Sequence, residues 1–154
     1  GSTPSAYISH RIKGITEIRP GTYVYNDLNT VGWGGAAEKD CALKVLTTIV
    51  STSIKGQVIV DAGSKTMSGD PLRSGHRKGY GKAHGYDNIY IEKMNEEHGY
   101  VDISQSGKTF KVGDKLLMIP NHCCTTNNMH DEVFVVRNNK VELTWQIPAR
   151  GKVR

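Results

Sequence analysis

Eight short runs rich in Val, Ile, Thr and Tyr, separated by polar turn residues, commit this chain to a β-rich fold. They are GTYVYND (21–27), ALKVLTTIVSTSI (42–54), GQVIVDAG (56–63), NIYIEKM (88–94), YVDIS (100–104), KLLMIP (115–120), EVFVVR (132–137) and VELTWQI (141–147). No stretch keeps a helical period beyond two turns, and GGAAEKDC (34–41) offers a single turn of helix. Lys55-Gly56 and Asn138-Asn139 sit between successive runs, and Gly and Asn tolerate the positive φ that tight hairpins require. Runs of this length and spacing predict an antiparallel β-barrel or sandwich.

Two stretches stand apart. Residues 1–20 hold one strand candidate, GITEI (14–18), in an otherwise open loop, and residues 64–87 read as a long Gly-rich loop with no strand of its own. Loops of that length inside a compact domain are functional or disordered. The 154 residues suit one compact unit. No apolar run approaches the roughly 20 residues of a membrane-spanning helix. The start, GSTPSAYISH, carries no hydrophobic leader region, so a cytoplasmic protein without membrane contact is expected. The net charge of +5 gathers at Arg73, Arg77, Lys78 and Lys82 and at Arg150, Lys152 and Arg154. No helix or aromatic platform organises these cations, so they read as a solvated loop and chain end, not as a nucleic-acid surface. Of the three cysteines, Cys41, Cys123 and Cys124, two are adjacent, which argues against a disulfide framework and leaves metal ligation or burial.

The segment IPNHCCTTNN (119–128) follows directly from an apolar strand candidate. In extended backbone His122 and Cys124 project to one side and Cys123 to the other. An imidazole nitrogen and a thiolate sulfur suit one borderline-soft ion, zinc above all. Two ligands fit an open site whose other positions go to water, substrate or another domain, where the ion acts as a Lewis acid. The spacing alone is equally met by a buried cysteine beside a backbone-bonded histidine. His98 and His130 are further candidate ligands, though each suits a surface or supporting role.

A second constellation points to an anion. GSTP (1–4) offers two hydroxyls beside a glycine, and IRPGTY (18–23) offers Gly21 with Thr22 next to it. Glycines let the backbone approach an anion so that N–H groups point at it. Each segment is also an ordinary turn sequence.

In chain order, GSTPS, TEIRPGTYVYND, VLTTIVS, VDAGSK, GYG, EEHGYVDIS, VGDKLLMIPNH-C-C and PARG resemble the D-threonine aldolase and D-serine dehydratase family, relatives of the alanine racemases. The resemblance runs nearly end to end. It implies a two-domain enzyme: an amino-terminal (β/α)8 barrel carrying pyridoxal 5'-phosphate on a lysine near its start, and a carboxy-terminal β-domain closing the active site. Residues 1–20 would then be a remnant of the pyridoxal-phosphate-binding barrel and residues 21–154 the β-domain. By this resemblance Ser2, Thr3, Gly21 and Thr22 hold the cofactor phosphate and Arg19 faces the pyridine nitrogen. His122 and Cys124 match the family's metal pair, with zinc expected and manganese as the alternative. The cysteine tilts the reading to a dehydratase that expels the β-hydroxyl of a D-β-hydroxy amino acid; an aldolase or racemase is the alternative. A homodimer and a small-molecule D-amino acid substrate are implied.

The Schiff-base lysine would lie ahead of residue 1, and Lys44, Lys55 and Lys65 do not match it. No catalytic residue is therefore expected in this chain, which should be inactive without its barrel domain. GITEI, deprived of a sheet, is expected to be displaced or to pair abnormally. A rival of another class is a non-catalytic metal-binding or dimerisation β-domain. Asp61, Lys65 and Asp70 are expected at the substrate, at an interface or in surface ion pairs. Tyr80 is expected to face the active site or cap a turn. Glu96, Glu97 and His98 are expected in structural hydrogen bonds, and Trp33 and Trp145 in a core or interface.

Overall fold

The computed structural model describes residues 2–73 and 79–152. Its centre is a closed antiparallel barrel of six strands: β1 (Val45–Ser51), β2 (Gln57–Val60), β3 (Gly81–Ala83), β4 (Tyr90–Met94), β5 (Gly99–Asp102) and β6 (Lys115–Pro120). Around the barrel the order is β1-β2-β5-β4-β3-β6, and β6 closes it on β1, from Val45 opposite Met118 to Thr48 opposite Lys115. The expected β-barrel class is therefore observed.

Alternation selects the interior. On β1, Thr47 and Ile49 are buried while Leu46 and Val50 face outward. Val58 and Val60, Ile91, Val101, Leu116 and Met118 supply the other strands' inward side chains. Glycines make room where strands crowd: a Cβ on Gly99 would lie 2.7 Å from the Ala62 carbonyl oxygen. One on Gly81 would lie 2.8 Å from Cε of Met67. Met67 ends a short helix, α3 (Ser64–Met67), and fills one end of the barrel as part of the same core.

Outside the barrel lie α1 (Thr3–Ser9), α2 (Leu28–Gly32) and α4 (Cys123–Asn127), 3-10 turns at Thr22–Val24 and Glu38–Asp40, and a hairpin of β7 (Glu132–Arg137) and β8 (Lys140–Gln146). Leu28, Cys41 and Ile119, with Val31 and Leu72 against them, seal α2 to the outer side of β6. The hairpin turns are those expected from sequence: Gly56 has φ +79°, and Asn138 and Asn139 have φ of 51° and 60°.

Several expectations fail. The run 21–27 is not a strand: it holds the 3-10 turn and ends at Asp27, the N-cap of α2, with Tyr23 and Val24 exposed. Strand propensity reflects fit to a half-buried pleated surface, and among the described residues no strand pairs with this run to supply one. The strand candidate GITEI forms no strand among the described residues; Gly14 at φ +94° breaks its start. The loop 64–87 contains both α3 and β3. Within 1–20, residues 3–9 are helical. Of the core or interface position expected for the tryptophans, the core half fails: Trp33 packs edge-on against Tyr7 at 5.7 Å, and both Trp33 and Trp145 are exposed in the single chain.

Of the basic clusters, Lys82 pairs with Glu38, and Arg150 pairs with Asp131 at 3.0 Å. Arg77, Lys78 and Arg154 lie outside the described residues, as does Gly1 of the GSTP segment. No helix is long and apolar enough to cross a membrane among the described residues.

Candidate active-site cleft

Strand β6 ends at Pro120, and the next four residues build the site. Asn121 is buried, and its Nδ2 donates to the carbonyls of Asp70 (3.0 Å) and Gly79 (2.6 Å). Its own carbonyl accepts from Nδ2 of Asn29 at 2.8 Å. Oδ1 of Asn29 in turn accepts the backbone N–H of Arg73 at 2.7 Å. Three separate segments are thereby tied to the end of one barrel strand. His122 follows as the extended N-cap of α4, and Cys123 and Cys124 open the helix itself. The pair is thus delivered by a strand-to-helix corner, not by continued strand as expected. Thr125 and Ser68 both donate to Oδ2 of Asp70, which braces α4 on the loop after α3.

His122 and Cys124 face a cleft of about 610 Å³, whose lining also includes Ser2, Thr3, Arg19, Gly21 and Thr22. The five residues matched to the cofactor and the two matched to the metal thus border one space. Thr22 joins the two groups directly, its Oγ1 lying 3.4 Å from Sγ of Cys124. The hydroxyl of Thr3 is buried and accepts the backbone N–H of Tyr23 at 3.1 Å. The Ser2 hydroxyl lies 3.3 Å from that of Ser5. A Cβ on Gly21 would meet nothing within 4 Å, so its backbone is open to the cleft. Arg19 is exposed and lies 3.5 Å from Glu17.

Sequence reasoning missed Asp27, whose side chain is 1% exposed. Its Oδ1 accepts the backbone N–H and the hydroxyl of Thr30, at 2.8 and 2.9 Å. Its Oδ2 accepts the Cys123 N–H at 3.0 Å and lies 3.2 Å from Nδ1 of His122. The available signal was Asp-Leu-Asn-Thr, an N-cap with a hydrogen-bonding residue three positions on. Burial pushes the Asp27 carboxyl up, but the bonds from His122, Thr30 and Cys123 outweigh it and leave the group below its ordinary range. The bond to Asp27 raises the His122 imidazole against the opposing effect of burial. Cys124 is drawn down to about 6 by the Cys123 thiol beside it, with Thr22 and His122 helping against burial. Cys123 is pushed upward by Cys124 and by burial, and its Sγ lies 3.7 Å from the Thr22 carbonyl oxygen.

The remaining candidates stand elsewhere. Nε2 of His130 lies 3.1 Å from the Thr66 carbonyl, and the His98 N–H donates to Asn95. No group of three His, Cys, Asp or Glu side chains is arranged to hold a metal among the described residues. Lys65 pairs with Glu97 at 2.6 Å, Asp61 accepts the Thr48 N–H, and Tyr80 packs against the barrel core. A second cleft of about 620 Å³, between the β1–β2 hairpin and residues 103–110, is lined by no His, Cys, Asp or Glu and has no comparable chemistry.

A β-barrel domain with a hydroxyl-lined, imidazole- and thiol-bearing cleft at a strand end is the class defined so far. The family model described as "Putative serine dehydratase domain" matches residues 42–136, and the chain belongs to that family. It is 33% identical over 159 residues to the 3-hydroxy-D-aspartate aldolase of Paracoccus denitrificans, covering 99% of this chain and 39% of the relative. The solved D-threo-3-hydroxyaspartate dehydratase of Delftia sp. HT23 superposes with a TM-score of 0.84 at 32% identity, over 95% of this chain and 42% of that one. Solved variants of a D-threo-3-hydroxyaspartate dehydratase replace by alanine a histidine and, two residues on, a cysteine; the cysteine variant is in a metal-free form. The chain thus spans about two-fifths of the length of these relatives. An uncharacterized protein of Mycobacterium tuberculosis is 33% identical over 130 residues, which cover 82% of this chain and 96% of that protein.

Proposed function

We propose that this chain is the carboxy-terminal part of a pyridoxal-phosphate- and metal-dependent lyase that dehydrates D-β-hydroxy amino acids. The observation that carries the reading is the single cleft bordered both by Ser2, Thr3, Arg19, Gly21 and Thr22 and by His122 and Cys124. The relatives' names share a substrate pattern, a D-amino acid with a hydroxyl on its β-carbon, which favours that class over other amino acids.

The donor set fits the proposed ion. The Cys124 thiol, drawn down by its neighbours, gives up its proton more readily than a free cysteine, and with the imidazole of His122 it makes a nitrogen–sulfur pair suited to zinc. Two protein donors leave positions open for a substrate oxygen. A zinc ion held there would polarise the β-hydroxyl and so make it a better leaving group. Ser2 and Thr22 would offer hydroxyls and Gly21 open backbone to the cofactor phosphate, with Thr3 lining the same cleft and bracing the Tyr23 N–H, and Arg19 would approach the pyridine ring. Residues 1–20 are assigned to the barrel end and 21–154 to the β-domain, with the Schiff-base lysine supplied by the domain ahead. Aldol cleavage or racemisation at the same Cα is the alternative outcome.

A stand-alone metal-binding domain is the second reading, and the mycobacterial relative of nearly equal length favours it. The test joins the chain to a pyridoxal-phosphate barrel domain of this family and measures ketoacid release from D-serine and D-threo-3-hydroxyaspartate, alongside the zinc content of the chain alone. Zinc-dependent release supports the lyase. Zinc bound by the chain, without turnover in the joined protein, supports the stand-alone domain.

A further inference from the structure

We propose that Asp27 is the positioning residue of the metal pair: its carboxylate fixes the tautomer of His122 and the start of α4, so that both ligands are preset before an ion arrives. The inference rests on the metal reading above and concerns how this chain builds the site. A buried carboxylate loses its water and must recover hydrogen bonds from the protein. Asp27 recovers four, two to each oxygen. With roughly four acceptor positions on a carboxylate, all are occupied, so Asp27 borders the cleft without being free to bind an ion itself.

The four partners are not equivalent. Thr30 N–H and Oγ1 hold Oδ1 at the start of α2. The Cys123 N–H and the His122 ring hold Oδ2 at the start of α4. A carboxylate can only accept, so Nδ1 of His122 must carry the proton, and the lone pair of neutral His122 is placed on Nε2. The Cys123 N–H fixes the first turn of α4 and with it the Cα from which Cys124 projects. One side chain therefore sets the direction of the nitrogen ligand and the base of the sulfur ligand. Charge agrees: a divalent ion is balanced by one thiolate and one carboxylate, with the imidazole neutral.

Asp27→Asn separates these functions. An amide has one oxygen and one NH2 group. If the oxygen serves Thr30, the NH2 faces His122 and moves the proton to Nε2, which blocks the ligand. If it serves His122, the NH2 opposes the Thr30 N–H and uncaps α2. Thr30→Val removes one bond from the other oxygen and leaves the His122 contact intact.

Zinc affinity is measured by competition with a chromophoric chelator on wild type, Asp27→Asn and Thr30→Val, with folding followed by circular dichroism. A loss of about 10- to 100-fold in Asp27→Asn, with Thr30→Val unchanged, is expected. Equal losses in both variants, or none in Asp27→Asn while wild type binds, would overturn the positioning role alone. Should Asp27→Asn not fold, the imidazole 15N shifts of zinc-loaded wild type decide. Zinc on Nε2 with a proton on Nδ1 is expected, and zinc on Nδ1 overturns the inference. No zinc in wild type overturns both this inference and the metal reading.

Discussion

The three cysteines occupy three different environments, and their chemistry should separate accordingly. Cys41 is fully buried, and its thiol is pushed from 9.0 to about 11, first by burial and then by Asp27, with Glu38 and Asp40 adding to it against Lys44. Cys124 is exposed and lies near 6. Iodoacetamide at neutral pH should therefore modify Cys124 and spare Cys41, as read by mass spectrometry of the folded protein. The sign for stability follows from linkage. A group that holds its proton more tightly when folded contributes stability that is complete below the unfolded value and lost as pH rises through the folded one. The denaturant midpoint should accordingly fall between pH 9.0 and about 11, and fall less steeply in Cys41→Ala. Identical slopes would show that Cys41 does not titrate there. At this scale the sequence displayed the ligand-type residues, because His-x-Cys after an apolar run is visible as letters. It did not display Asp27, whose role depends on a contact with a residue 95 positions away.

At the scale of elements, the corner after β6 depends on Asn121 as much as on backbone regularity. Asn121→Ala leaves the Asp70 and Gly79 carbonyls without their donor in a buried setting, which should cost about 1–3 kcal/mol by urea denaturation. On the proposed metal role it should also loosen α4 enough to weaken zinc binding; unchanged stability would mean that water replaces the amide. Strand β3 was hidden because Gly81 and Ala83 resemble loop residues, yet Gly81 answers to crowding against Met67 and the Ile119 carbonyl, and Ala83 is fully buried in the barrel core. The run at 21–27 misled in the opposite direction, since Tyr and Val carry strand propensity with no strand paired to them among the described residues. The β1–β2 and β7–β8 turns were legible because positive φ restricts the residues that serve there, and Gly56, Asn138 and Asn139 are of that kind.

Across the whole molecule, burial is concentrated in the barrel. Ile91→Ala should cost about 2–5 kcal/mol, whereas Trp145→Ala should stay within about 0.5 kcal/mol in the isolated chain, since Ile91 is 0% and Trp145 55% exposed. Hydrogen exchange should rank the same way, with amides of β2 and β5 slowest and those of β8 fast, because a two-stranded hairpin is marginal by itself. Equal protection in both would show that the hairpin folds as one unit with the barrel. The closure of β6 on β1 has a further consequence. A sheet joined end to end offers no unpaired backbone for another chain to extend, so the six barrel strands cannot seed polymerisation. The outer sides of β7 and β8 remain unpaired among the described residues, beside exposed Phe134, Val136, Val141 and Leu143. Concentrated solutions of this chain should therefore begin any fibril or precipitate at its carboxy-terminal hairpin, and a lysine at Val141 is the substitution to keep it dispersed.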